Sequence, residues 1–233
     1  KNRESPMPAE ISIIIPTLNA EEQLPACLAT LMEGLSAGLI CELIVTDGDS
    51  ADATRGVADA AGGIVTTGPA SRGGQLRRGV TKARGRWLLI LHADTQLEPG
   101  WSAVVAEHIA NGQGASAYFR LAFRARGLMP AWFAGWANLR SCVFGLPYGD
   151  QGLLVQRATY DQAGGYPDQP LMEDVALVRA LPRPLIALSA RASTSAERYR
   201  RAGWLRRGAA NLWTLIRYLL GADPKALAAA YQR

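Results

Sequence analysis

Three short apolar runs, residues 11–15, 43–46 and 86–91, each stop abruptly at a polar cluster. The clusters are Pro16-Thr17-Leu18-Asn19 with Glu21, Asp47-Gly48-Asp49-Ser50, and His92-Ala93-Asp94. Runs this short, aliphatic and rich in β-branched residues, suit strands covered on both faces, as in a parallel sheet. Helical spacing fills the gaps between them. Leu24, Leu28, Leu31 and Met32 follow Asn19, which reads as an N-cap with Glu21 and Glu22 in the first turn. Helical patterns at 52–61 and 71–83 then flank a strand at 63–67. Repeated strand–helix units predict an α/β fold with an open, mostly parallel, Rossmann-like sheet flanked by helices. Ligands of such sheets lie beyond the carboxyl ends of the strands, where the three polar clusters fall.

Beyond residue 110 the rhythm changes. A strand is expected at 115–123, an aromatic helix at 129–144, a strand at 152–156, a helix at 171–181 and a short strand at 185–188. A C-terminal amphipathic helix would place Leu205, Ala209, Leu212, Trp213, Ile216 and Leu220 on one face. No repeat or linker divides the chain, so 7–233 reads as one domain, with 1–6 as a tail. The 233 residues, 48% hydrophobic and 19% charged, suffice for a real core and exclude disorder. Cys27, Cys41 and Cys142 are too few and too scattered for a disulfide framework or a Cys-x-x-Cys metal site, which points to a reducing, cytoplasmic setting. No apolar run reaches the roughly 18 residues of a spanning helix, so the chain reads as soluble.

Charge is uneven. Residues 1–116 carry 9 basic and 13 acidic side chains, whereas 117–233 carry 16 and 7. A basic C-terminal half suits a phosphorylated substrate, anionic lipid or nucleic acid. Carboxylates gathered at one sheet edge repel unless a cation or ligand donors compensate them. Asp94 and His92 offer an oxygen and a nitrogen to a divalent ion, with a diphosphate completing the shell. Taken singly, Asp47 and Asp49 also fit turns, Asp94 a helix cap and His92 a plain hydrogen bond.

The segments Ile-Ser-Ile-Ile-Ile-Pro-Thr-Leu-Asn-Ala-Glu-Glu from Ile11, Ile-Val-Thr-Asp-Gly-Asp-Ser from Ile44 and Leu-Ile-Leu-His-Ala-Asp-Thr from Leu89 strongly resemble the nucleotide-sugar half of family 2 glycosyltransferases of the GT-A fold. Gly149-Asp-Gln-Gly152, Ala163-Gly-Gly-Tyr-Pro167 and Leu171-Met-Glu-Asp174 resemble that family's acceptor half and its Glu-Asp motif. Leu-Gly-x-x-Pro at 220–224 and the compact length resemble a small bacterial subgroup found with radical-SAM and selenium-related proteins. The resemblance implies a nucleotide-sugar half at 7–110, an acceptor half at 111–200 and C-terminal amphipathic helices at 201–233.

It also implies roles. Pro16, Thr17, Asn19 and Glu21 would line the nucleotide pocket, with Asp47 facing the base and Asp49 beside it. Arg72 and Gln75 would help hold a UDP- or GDP-linked sugar, although a polar helix face also explains them. Asp94 matches the second carboxylate of the family's Asp-x-Asp metal motif, and His92 stands in place of the first. Magnesium prefers oxygen ligands while manganese accepts imidazole, so manganese is favoured over magnesium. Asp174 would be the general base of an inverting transfer to a hydroxyl acceptor, with Glu173 orienting it or touching the acceptor. Both also suit a helix first turn. Gly149, Asp150 and Gln151 would contact the acceptor or form a tight turn.

Core packing is the expected role of Trp132, Phe133, Trp136 and Phe144, ahead of an acceptor platform or a membrane-interface patch. Arg198, Arg200, Arg201, Arg206 and Arg207 read as a solvated face that could also meet a diphosphate or lipid headgroups. The C-terminal helix suits a core, a homodimer or a peripheral contact with the inner membrane face. His108 reads as a surface helix residue. A nucleotidyltransferase, or a non-catalytic polyanion- or membrane-binding module, are the rival readings; nucleic acid is not the expected partner. A dinucleotide oxidoreductase is disfavoured because the turn from Pro16 to Glu21 lacks Gly-x-Gly-x-x-Gly.

Overall fold

A computed structural model describes residues 10–111 and 114–231; the expected tail at 1–6 lies outside them. Eight strands form one sheet: β1 (Ile11–Thr17), β2 (Ile40–Asp47), β3 (Ile64–Thr67), β4 (Trp87–Ile90), β5 (Gln96–Leu97), β6 (Ala117–Phe123), β7 (Leu153–Gln156) and β8 (Ile186–Thr194). Their order is β3-β2-β1-β4-β7-β6-β8-β5. The strands β3, β2, β1 and β4 run parallel. β7 is antiparallel to both β4 and β6, β8 is parallel to β6, and β5 closes the edge antiparallel to β8. The sheet is thus mixed, and it is continuous across residue 110.

The covering helices are α1 (Leu24–Ser36), α2 (Thr54–Ala60), α3 (Arg72–Lys82), α4 (Trp101–Asn111), α5 (Leu128–Phe144), α6 (Arg157–Gln162), α7 (Glu173–Ala180), α8 (Glu197–Ala202), α9 (Trp204–Leu219) and α10 (Pro224–Tyr231). Residues 11–15 of β1 have almost no exposed surface, because alternate side chains enter two cores. Ile13 and Ile15 join Leu24, Leu28, Trp101 and Val105 on one face. Ile14 joins Leu76, Val80, Leu88 and Leu177 on the other. The indole N–H of Trp101 donates to the Thr30 carbonyl at 3.0 Å, so this large ring is buried without an orphaned donor.

Several sequence expectations are corrected. Asn19 is not the cap of α1, which starts at Leu24; Asn19 sits at φ 49° and its Oδ1 accepts the Ala51 N–H at 2.9 Å. Instead of starting the helix, it ties the loop after β1 to the loop after β2. The helix expected at 171–181 begins at Glu173, because Met172 is left-handed at φ 62°. The short strand at 185–188 is only the start of the nine-residue β8. Gly203 at φ 81° and Gly221 at φ 91° break the single C-terminal helix into three. His108 is buried, with Nε2 bonded to the Ala115 carbonyl at 2.8 Å and its ring edge-on to Trp87.

The aromatic segment and the C-terminal stripe also depart from core packing. Phe133 is buried, but Trp132, Trp136 and Phe144 are exposed. On α9 the buried residues are Thr214 and Leu215, and of the three uses left open for its apolar face, carrying Leu205, Leu212, Trp213 and Ile216, the core is not the one observed, because that face points outward.

Gly34 gives a direct check of the packing. A Cβ there would lie 2.4 Å from Cη2 of Trp101, a buried ring without room to move. Gly34→Ala is expected to cost about 1–3 kcal/mol by urea unfolding, the usual penalty of overpacking. Gly56→Ala in α2, where a Cβ meets nothing within 4 Å, should instead gain up to about 1 kcal/mol from helix propensity. Equal stability of Gly34→Ala and the parent would contradict this packing.

Candidate active site

The carboxyl ends of β1, β2 and β4 stop side by side, and the chain must satisfy the backbone groups exposed there. Asp47, fully buried, accepts the Ser50 N–H at 2.8 Å, the Ser50 hydroxyl at 2.5 Å and the Thr17 hydroxyl at 3.1 Å. Ser50 Oγ in turn accepts the Asn19 N–H at 2.8 Å. Glu21 accepts the Ala53 N–H at 2.8 Å and donates its own N–H to Asp52 at 3.1 Å. These side chains therefore sew two loops together. Gln75 does the same from α3, its amide donating to the carbonyls of Thr17 at 2.8 Å and Thr46 at 2.7 Å.

Over this floor lies an open cleft of about 600 Å³, bordered by Pro16, Thr17, Asn19, Gln75, Arg72 and the β4 end with His92 and Asp94. That volume falls in the range of small-molecule sites. Glu21, Asp47 and Asp49 do not border the cleft; Glu22 and Gln23 do, together with Ser195 and Arg198 from beyond β8. A smaller chamber of about 130 Å³ adjoins it, lined by Tyr148, Gly149, Asp150, Asp174 and residues of the C-terminal helices. Arg72, His92, Asp94, Ser195 and Arg198 line both spaces and so mark their junction.

The chamber wall is built by close approach. Asp174, in the first turn of α7, accepts the Gly149 N–H on Oδ2 at 2.7 Å and the Val175 N–H on Oδ1 at 2.7 Å. A Cβ on Gly149 would lie 2.4 Å from His92 Nε2, so only glycine lets this turn press on the imidazole. Gly73 at the start of α3 is equally constrained, since a Cβ would lie 2.0 Å from the Pro167 carbonyl oxygen. Gln151 belongs to this turn but not to the chamber. It is fully buried, accepting the Ser141 hydroxyl at 2.6 Å and donating to the Phe119 carbonyl at 3.2 Å, so it anchors the turn to α5 and β6.

Burial and unequal charge set the protonation states. Burial, aided by Arg72, pushes His92 down to about 4 against the pull of Asp94 and Asp174, leaving it neutral at pH 7. Burial raises Asp150 to about 6, with Arg140 opposing, and its Oδ1 has no hydrogen-bond partner among the described residues. Glu173 is pushed up to about 8, first by burial and then by Asp174, although Arg72 Nε stands 3.6 Å away. Glu173 lines neither the cleft nor the chamber, so its carboxyl supports Arg72 from behind.

Tyr148, Tyr199, Asn211 and Tyr231 are among the chamber residues that had no counterpart in the sequence reading. Tyr231 arrives because α10 folds back, its hydroxyl donating to Asn211 at 2.9 Å while Arg207 stacks on its ring at 4.1 Å. No pattern in the sequence signals that return. For a metal, a carboxylate (Asp94) and a neutral imidazole (His92) form a chemically suitable pair. Among the described residues no group of three or more His, Cys, Asp or Glu could hold an ion, so a ligand must supply further donors.

The model of the family described as Glycosyl transferase family 2 matches residues 12–136. No curated protein sequence matches the chain. Among solved structures, TarS of S. aureus in complex with UDP is 17% identical with a TM-score of 0.62, covering 81% of this chain and 61% of that one. Glucosyl-3-phosphoglycerate synthase from Mycobacterium tuberculosis, in complex with Mn2+, UDP and phosphoglyceric acid, is 20% identical with a TM-score of 0.55, covering 80% and 69%. The chain spans about three fifths of the TarS fragment, and at these identities the likeness is one of fold.

The state of Glu173 predicts a pH dependence. Its carboxyl is protonated up to about 8 in the folded chain but only to about 4.5 when unfolded. The folded state therefore holds a proton the unfolded chain has lost, and this group's contribution to stability falls as pH rises across that window. Glu173→Gln should flatten the decline in urea midpoint between those limits; an unchanged slope would rule out a buried neutral carboxyl.

Proposed function

Because the chain belongs to glycosyl transferase family 2 and carries the GT-A fold, we propose that it transfers a sugar from a nucleoside-diphosphate donor to a hydroxyl acceptor with inversion at the anomeric carbon. The carrying observation is the junction: Arg72, His92 and Asp94 border both the open cleft and the chamber, whereas Asp174 borders the chamber. A nucleotide in the cleft would rest against Pro16, Thr17 and Asn19, with its diphosphate at the junction and its sugar directed inward. Glu21, Asp47 and Gln75 would act through the loops and strand ends they fix. UDP is favoured as the nucleotide because the TarS and synthase structures contain it.

Arg72 and Arg198 supply positive charge where the leaving diphosphate gains negative charge. Asp94 and His92 would hold a divalent cation, manganese in preference to magnesium, whose chemistry is to neutralise that same charge. The acceptor hydroxyl forms the new bond to the anomeric carbon as the bond from that carbon to the diphosphate oxygen breaks, and its proton passes to Asp174. The two backbone N–H groups on Asp174 hold the carboxylate in place and leave other lone pairs for that proton. A second reading assigns the base to Asp150, favoured by its unpartnered oxygen and by its raised pKa near 6. The Leu-Gly-x-x-Pro segment that turns α9 into α10 supports placement in the small bacterial subgroup.

Calorimetric titration with UDP, GDP, CDP and dTDP, each with and without manganese, tests the donor side. Selective, manganese-dependent binding is expected, weakened by about tenfold or more in Asp94→Ala; binding of none of the four would sink the reading. Asp174→Asn is expected to slow sugar transfer or donor hydrolysis by about 10²–10⁴-fold while nucleotide binding persists. Full activity in that variant with loss in Asp150→Asn would move the base to Asp150.

A further inference from the structure

Among the described residues, apart from Leu18, Met32, Leu35, Ile64 and Ile186, every large apolar side chain found exposed lies on α5, on α9 or at the residue ending α9. On α5 the exposed set Leu128, Trp132, Trp136, Leu139 and Val143 follows helical spacing and forms one stripe, with Leu128 90% and Trp132 59% exposed. On α9 Leu205, Leu212, Trp213 and Ile216 form a second, with Leu205 68% and Trp213 61% exposed. The helices meet: Phe133 and Trp204 have ring centroids 5.5 Å apart, and a Cβ on Gly208 would lie 2.2 Å from the Phe133 ring. A soluble monomer rarely leaves so much apolar surface in one region.

Charge identifies the occupant. No acidic residue occurs between Glu107 and Asp150, or between Glu197 and Asp223, the two segments that contain these helices. Arg126, Arg200, Arg206 and Arg217 lie in the same segments without an ion pair among the described residues. In a two-fold dimer of this face each arginine would meet only further arginines, because neither segment offers a carboxylate. Anionic headgroups would neutralise them, while tryptophans and leucines enter the acyl boundary. No described helix is long and apolar enough to cross a membrane, so the chain would lie on the surface.

We propose that the outward faces of α5 and α9 form one docking surface for an anionic lipid bilayer. The inference is independent of the transfer reaction, since none of Trp132, Trp136, Trp213, Arg200 and Arg206 borders the cleft or the chamber.

The test is co-sedimentation of the full chain with vesicles of phosphatidylcholine alone and of phosphatidylcholine mixed with phosphatidylglycerol, with tryptophan emission read in parallel. Binding to the mixed vesicles with a blue shift is expected, weakening as salt rises. Trp132→Glu with Trp213→Glu should lower partition by about tenfold or more, and Arg200→Glu with Arg206→Glu should remove the preference for the anionic vesicles. Unchanged thermal unfolding of both variants would show that the surface, not the fold, was altered. If the variants unfold, Arg200→Gln with Arg206→Gln carries the same charge test. Failure of the parent to bind either vesicle overturns the proposal. So does light scattering showing a dimer that the tryptophan variants return to monomer.

Discussion

Where β1 and β2 end, one side chain, the buried amide of Gln75, donates to the carbonyls of both Thr17 and Thr46 and so ties α3 to the two strands. Two hydrogen bonds from one amide fix the start of α3 relative to the sheet edge. Arg72, one turn earlier on α3, is thereby carried to the junction of the two cavities. Each of these hydrogen bonds is worth about 0.5–1.5 kcal/mol, so polar anchoring at the strand ends adds to the apolar contacts of Leu76 and Val80 in placing α3. The approach of α3 is tight enough that Gly73 meets the Pro167 carbonyl without room for a side chain. The cleft floor and the junction arginine are thus joined through one amide.

The N-terminal half of the fold was legible because β1, β2 and β4 are dominated by Ile, Leu and Val and the helices between them keep their period. Burial on both faces leaves a strand no other composition. Legibility declined after residue 110 for a physical reason. In β8 the buried Leu188, Ala192 and Thr194 are interleaved with polar Ser189, Arg191 and Ser193, so only its first residues look like a buried strand, and the two-residue β5 has no pattern at all. The C-terminal segment has strong helical periodicity throughout, and it breaks at Gly203 and Gly221, which adopt positive φ, but not at Gly208, which stays helical.

The site was legible in its residue types and less so in their tasks. His92, Asp94, Arg72, Asp150 and Asp174 do converge on one chamber. Asp47, Glu21 and Gln151 look like ligand contacts in a linear reading because a polar residue at a strand end serves equally to receive a ligand or to pair backbone groups. Their partners are long-range in sequence, Thr17 to Asp47 and Phe119 to Gln151 among them, so the choice between the two uses exists only in three dimensions. The chamber tyrosines illustrate the converse: Tyr199 and Tyr231 come from helices whose return path has no local code.

Amphipathic patterning announces that a helix has an apolar face; it does not say what the face meets. On α9 the period is clear, yet Thr214 and Leu215 face the protein while Trp213 and Ile216 face out. The inner side of the same helix sends Arg207 and Asn211 into the chamber. Tyr231 joins them through hydrogen bonds that run back to α9. One rigid helix therefore has two loads, a polar network on the chamber side and an apolar stripe on the other. Whatever covers the stripe also restrains the chamber wall, because a helix transmits displacement along its length as a body.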